Sequence, residues 1–173
     1  MFTKEDYNKW LEDTHNVELN KRMIEEFPFL LPRNRWTGEV SKDYDYSYNE
    51  LWELEDGWAK AFGYELICEI RDALKEVDYL DKYRIAQIKE KYGTLRWYDF
   101  GAPEKVFEIV RKYEQLSYET CVRCGKPSEY ETFGWINYVC KDCLDKHNLR
   151  GRTIAEAEAE YAEYNDENNV EDI

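Results

Sequence analysis

The chain has 173 residues, 43% of them hydrophobic and 16% aromatic, which is enough for one cored domain with appendages. Its 38 acidic residues outnumber 24 basic ones and give a formal charge of -14. That charge repels phosphate backbones and anionic membranes at long range, and it argues against a general nucleic-acid-binding protein without excluding a local basic patch.

The N-terminus, Met1 to Trp10, has no apolar run and carries Lys4, Glu5, Asp6 and Lys9, so it does not read as a secretory leader. Apolar stretches elsewhere fall well short of the ~20 residues a membrane helix needs. These features predict a cytoplasmic protein with no membrane association. Residues 4–13 predict a short helix with Thr3 as N-cap. Residues 17–27 predict a second, with Val17, Met23, Ile24 and Phe27 inward, ended by Pro28 and Pro32. The following stretch, PFLLPRNRWTGEV, reads as an ordered loop because Phe29, Leu30, Leu31 and Trp36 favour burial. Residues 39–56 carry seven acidic side chains against Lys42 alone, interleaved with Tyr44, Tyr46, Tyr48 and Trp52, and are too aromatic for a flexible linker.

The strongest helical pattern runs from Trp58 to Val77, where Trp58, Phe62, Leu66, Ile70 and Leu74 make one stripe interrupted only by Gly63. Cys68 falls in this apolar pattern and reads as an inert thiol. Residues 83–98 predict a β-hairpin turning at a three-residue loop, Lys91-Tyr92-Gly93. Pro103 then opens a helix to Tyr118, with Val106, Ile109, Val110 and Tyr113 inward.

Four cysteines follow in two pairs, Cys121/Cys124 and Cys140/Cys143, fifteen residues apart. In a reducing compartment this spacing predicts a structural zinc site, since each Cys-x2-Cys turn directs two thiolates at one tetrahedral ion. Gly125 suits the knuckle, the second pair opens a helix, and the segment between is long enough for a short hairpin. The order predicts a treble-clef-like module; a pair of rubredoxin-like knuckles is the alternative, and iron the competing metal. Tyr130, Phe133, Trp135 and Tyr138 are the residues expected to shield the ion. Four thiolates leave no open position for catalysis, and His147 is left to solvent or packing. Nucleases built on such a finger need a histidine inside it, and none lies between Cys124 and Cys140. Residues 117–150 hold five basic and five acidic side chains, a balance unlike that of a DNA-reading finger. After Arg152 the chain has eight acidic residues and no basic one: a helical stripe of Ile154, Ala157, Tyr161 and Tyr164, then a frayed end at NDENN.

The hairpin is the one basic island, with Lys82, Arg84, Lys89, Lys91 and Arg96 against Glu90, and with Tyr83, Tyr92, Trp97 and Tyr98 among them. Stacking and phosphate contact use this mixture, here through Lys89, Lys91, Arg96, Trp97 and Tyr92. No phosphate-binding glycine loop, nucleophile–base arrangement or tuned carboxylate pair is visible.

From about Gly57 to Cys143 the chain resembles small uncharacterised zinc-finger proteins of phages and bacteria, through DGWAKAFGYELICEI, QIKEKYGTLRWY, CVRCGK, GW and VCKDC. The resemblance implies this order of elements, the zinc pairs and a phage or prophage origin, and it brings no catalytic residues. The expectation is an α+β fold: a mainly helical part with the hairpin over 1–118, a zinc module over 119–150, and an acidic helix or tail over 151–173. The corresponding function is a non-enzymatic zinc-containing binding protein that engages a host protein through acidic and aromatic surfaces. The alternative is a nucleic-acid or phosphorylated-ligand binder acting through residues 82–98.

Overall fold

A computed structural model describes residues 1–168 and shows an α+β fold. Helix α1 (Lys4–Glu12) starts on a reciprocal cap: Thr3 accepts from the Asp6 amide at 3.2 Å, and the Thr3 amide donates to the Asp6 carboxylate at 2.9 Å. Asn16 caps α2 (Val17–Glu26), which turns Leu19, Asn20, Met23 and Ile24 inward. Val17, expected inside, sits in the first turn and is exposed. The Asn20 side chain bridges the first helices to the acidic segment, accepting from Trp10 Nε1 at 2.9 Å and from Asn49 Nδ2 at 2.7 Å. Pro28 opens a single 3-10 turn (Pro28–Leu30) that buries Phe29 and Leu30.

Trp36 departs from expectation. It is 95% exposed. Residues 34–39 close on themselves instead of folding inward: Asn34 Oδ1 accepts from the Trp36 and Thr37 amides, and Asn34 and Gly38 bond back across the loop. Gly38 takes the left-handed φ of 74° that closure requires.

Residues 56–76 form one helical run in three pieces: α3 (Asp56–Trp58), a π-helical turn (Ala59–Gly63) and α4 (Tyr64–Glu76). Trp58, Phe62, Leu66, Ile70 and Leu74 are all buried. A strict spacing of four drifts around an α-helix of 3.6 residues per turn, and the wider π turn counters the drift at its start. Gly63 is needed there, because a Cβ would lie 2.1 Å from the Tyr7 hydroxyl, which donates to Ala59 O at 2.9 Å.

Strands β1 (Ile85–Lys91) and β2 (Thr94–Asp99) form the antiparallel hairpin. Its loop has two residues, not three: Lys91 pairs with Thr94, and Tyr92 and Gly93 take φ of 53° and 80°, the left-handed pair of a tight hairpin turn. The pairing slips by one residue between Ile85 and Gln87. Ile85, Ile88, Leu95 and Trp97 face the core. Helix α5 (Glu104–Tyr118) covers the free edge of β2, where Ser117 Oγ and Glu114 Oε1 accept from the Leu95 and Trp97 amides.

A second sheet, in the order β4-β3-β5, is built from β3 (Tyr130–Thr132), β4 (Tyr138–Val139) and β5 (Gly151–Thr153), with α6 (Lys141–Lys146) after β4. The chain ends in α7 (Ile154–Asn168), which runs through most of the stretch expected to fray; residues 169–173 lie outside the described residues. Ala157 of α7 is buried, whereas Tyr161 and Tyr164 are substantially exposed. Among the described residues no helix is long and apolar enough to cross a membrane.

Candidate metal centre

The first cysteine pair sits in a tight knuckle. The Cys121 amide bonds Lys126 O at 2.7 Å, the Gly125 amide bonds Cys121 O at 2.9 Å, and Gly125 takes a φ of 82°. The second pair opens α6, with Cys140 as its N-cap and Cys143 in its first turn. Knuckle, short hairpin and helix start bring the four ligand sulfurs within 4.8 Å of one another, with Cys124 Sγ and Cys140 Sγ 3.5 Å apart. The arrangement can hold one metal ion. Cys121, Cys140 and Cys143 are buried and Cys124 is half-buried, so protein encloses the site.

The thiols titrate unequally. Burial pushes Cys121 up, but the Cys140, Arg123 and Cys124 amides outweigh it and bring the thiol down to about 7. Burial and the neighbouring sulfurs push Cys143 far up, and Cys140 moves the same way. Four crowded sulfurs resist ionising together; a dication at their centre removes that conflict.

The four aromatics expected to shield the ion do not act together, and Tyr138 packs against the Tyr118 ring and bonds Glu131. Tyr138 is buried and Tyr130 half-buried, but Phe133 and Trp135 are exposed. Trp135 turns to the other hairpin, where its Nε1 donates to Glu90 at 2.9 Å. His147 caps the end of α6 and lies outside the sulfur cluster.

The knuckle docks on the start of the long helical run. The Gly57 amide donates to Val122 O at 2.8 Å, and Trp58 Nε1 to Thr120 O at 3.3 Å. A Cβ on Gly57 would lie 2.1 Å from Cys121 O, and one on Gly125 would lie 2.7 Å from Gly57 O. Both glycines are required by backbone-to-backbone contact.

Glu131 went unseen in the sequence. Only 3% exposed, it accepts from Arg152 Nη2 at 2.9 Å, from the Tyr161 hydroxyl at 3.0 Å and from the Tyr138 hydroxyl at 3.3 Å. Its partners come from β4, β5 and α7, so no local pattern marks it.

Of the hairpin residues singled out, Trp97 is not available to a ligand: it is 4% exposed and donates to the Tyr83 hydroxyl at 2.9 Å. Its position opposite Ile88 places it on the core face. Lys89 and Arg96 stand opposite each other on the outward face, Lys91 lies on the same face, and Tyr92 is exposed at the turn. No family model, curated protein or solved structure matches the chain.

Proposed function

We propose that this is a non-enzymatic binding protein held together by one structural zinc ion on Cys121, Cys124, Cys140 and Cys143. The observation that carries it is the enclosed four-sulfur cluster, all within 4.8 Å of one another and with one pair at 3.5 Å, close to the roughly 3.8 Å edge of a tetrahedron with zinc–sulfur bonds near 2.3 Å. Four thiolates complete the shell and leave no position at which zinc would activate water. The cysteines hold the ion, and the ion fixes the knuckle against α3 and α6.

The partner in this reading is a protein with a basic contact surface, met by residues 39–56. Trp52 and Tyr48 are exposed there, and Asp43, Asp45, Glu53, Glu55 and Asp56 are exposed around them. None of these carboxylates belongs to an ion pair among the described residues. The start of α7 is less suited, because Glu156 bonds Thr153, Glu158 bonds Tyr118 and Glu160 pairs with Arg152. The resemblance over residues 57–143 favours a phage or prophage protein with its partner in the bacterial cytoplasm. Elemental analysis should give one zinc per chain, and Trp52→Ala should abolish capture of a bacterial partner that the unaltered protein retains. A metal-free folded protein, or a partner held equally by Trp52→Ala, would overturn the respective half.

A further inference from the structure

The outward face of the β1–β2 hairpin has a composition opposite to that of the whole chain. Strand alternation places Lys89, Lys91, Arg96 and Tyr98 on it, with Gln87 and Thr94. Arg84 and Phe100, joined by the Phe100 amide to Arg84 O at 3.1 Å, continue the two rows past the strand ends. Both hairpin carboxylates are turned away and engaged: Glu90 with the Gly93 amide and Trp135, Asp99 with Tyr83 and the Gly101 amide. Arg84, Lys89, Lys91 and Arg96 belong to no ion pair among the described residues, although acidic residues outnumber basic ones by 38 to 24.

The same face exposes two aromatic rings, Tyr98 at 43% and Phe100 at 49%. Lys89 Nζ lies 5.2 Å from the Tyr98 ring centre, and the Arg84 guanidinium 5.0 Å from that of Phe100. At its base the face meets the self-closed loop of residues 34–39: Arg33, Asn34, Arg84 and Phe100 line one small hollow. Cations alternating with half-exposed rings along a strip about 20 Å long suit a ligand that alternates negative charge with flat apolar groups.

We infer that this face binds single-stranded nucleic acid, with bases stacked on Tyr98 and Phe100 and phosphates against Arg84, Lys89, Lys91 and Arg96. Unpaired bases are needed, because a duplex hides the faces that the rings would stack on. A duplex would also bring a second charged strand against a protein of charge -14, whereas one strand can follow the basic strip alone. This site is separate from the acidic segment proposed for a protein partner and does not depend on it.

The test is fluorescence anisotropy with labelled dT12 and rU12, a 12-base-pair duplex and poly-glutamate as competitor, at several salt concentrations. The single strands should bind more tightly than the duplex, the dT12/rU12 ratio giving the DNA or RNA preference. Three or four neutralised phosphates should give a slope of log K against log salt of about -2 to -3. Lys89→Ser with Lys91→Ser and Arg96→Ser should flatten that slope to between about -1 and zero. Tyr98→Ala with Phe100→Ala should weaken binding about five-fold or more and leave the slope unchanged. All these side chains point outward, so thermal midpoint and zinc content should stay near the parent values. Trp52→Ala should bind dT12 as the parent does, which separates this result from the protein-partner reading. Absence of dT12 binding at 50 mM salt, equal duplex affinity, or loss to poly-glutamate with the aromatic pair silent would each overturn the inference; the last would make the face a site for acidic proteins.

Discussion

Glu131 reaches three partners, Arg152, Tyr161 and Tyr138, from a nearly sealed position, and its carboxylate is the buried one of the two that Arg152 pairs with. Glu131→Ala leaves that guanidinium with the exposed Glu160 alone and the Tyr138 and Tyr161 hydroxyls without their acceptor, and should lower the thermal midpoint by about 5–10 °C, read by calorimetry. The cysteines divide sharply at the same scale. Cys140→Ser removes one of four ligands and should cost more than about 3 kcal/mol with loss of zinc, whereas Cys68→Ser, at a half-buried thiol outside the cluster, should cost under about 1 kcal/mol. Equal losses in urea unfolding would mean that Cys68 shares the structural role. Asp6 carries a pH signature. The Arg22 guanidinium, at 2.7 and 3.0 Å, and the Thr3 cap hold its carboxyl well below the usual carboxylate range. A depressed carboxyl stabilises the fold above its unfolded value near 3.9 and loses that contribution as pH falls toward the folded value. Asp6→Asn should therefore be less stable than the parent at pH 7, with the gap narrowing below about pH 4 in urea titrations.

Among the elements, the joint between the knuckle and α3 tolerates least. Gly57 has an ordinary helical backbone, so the cost of Gly57→Ala is purely steric: its methyl group meets a peptide carbonyl that cannot swing aside. About 2–3 kcal/mol of destabilisation and weaker zinc retention are expected. Gly134→Ala meets open space and bears only the strain of its φ of 80°, about 1 kcal/mol. A ranking with Gly134→Ala as the costlier change would contradict the joint. Much of this level was legible in the sequence. Thr3, Pro103 and the stripe from Trp58 to Leu74 announce their helices through caps and period, and the cysteine spacing announces the sulfur cluster. The missed features are those in which local chemistry beats hydrophobicity or distant residues meet. Trp36 looks like a core residue until Asn34 closes its own loop beneath it. Tyr92 is an unusual occupant of a left-handed turn position, so the two-residue loop was hidden. Gly57 and Val122, like Glu131 and Tyr161, are neighbours that no periodicity connects.

Across the whole molecule, the cysteine module and the helical body share hydrogen bonds and close backbone contacts, and α7 is tied back by Glu158 to Tyr118. Calorimetry of the metal-bound protein should show one unfolding transition, and a strong chelator should lower its midpoint as a whole. Two resolved transitions, with chelation moving only one, would mean that the module folds independently. The joint also has a consequence in time. The amide of Gly57 and the indole of Trp58 wait for carbonyls of Val122 and Thr120, more than sixty residues later in the chain. At about 5–20 residues per second, a ribosome takes on the order of 3–13 s to deliver them after it has added Gly57 and Trp58. For that interval the nascent helix has a bare start, and it gains its cover only once the knuckle emerges and closes on its metal. On the zinc reading proposed above, the supply of that metal then helps to decide when the newborn chain passes beyond the reach of proteases.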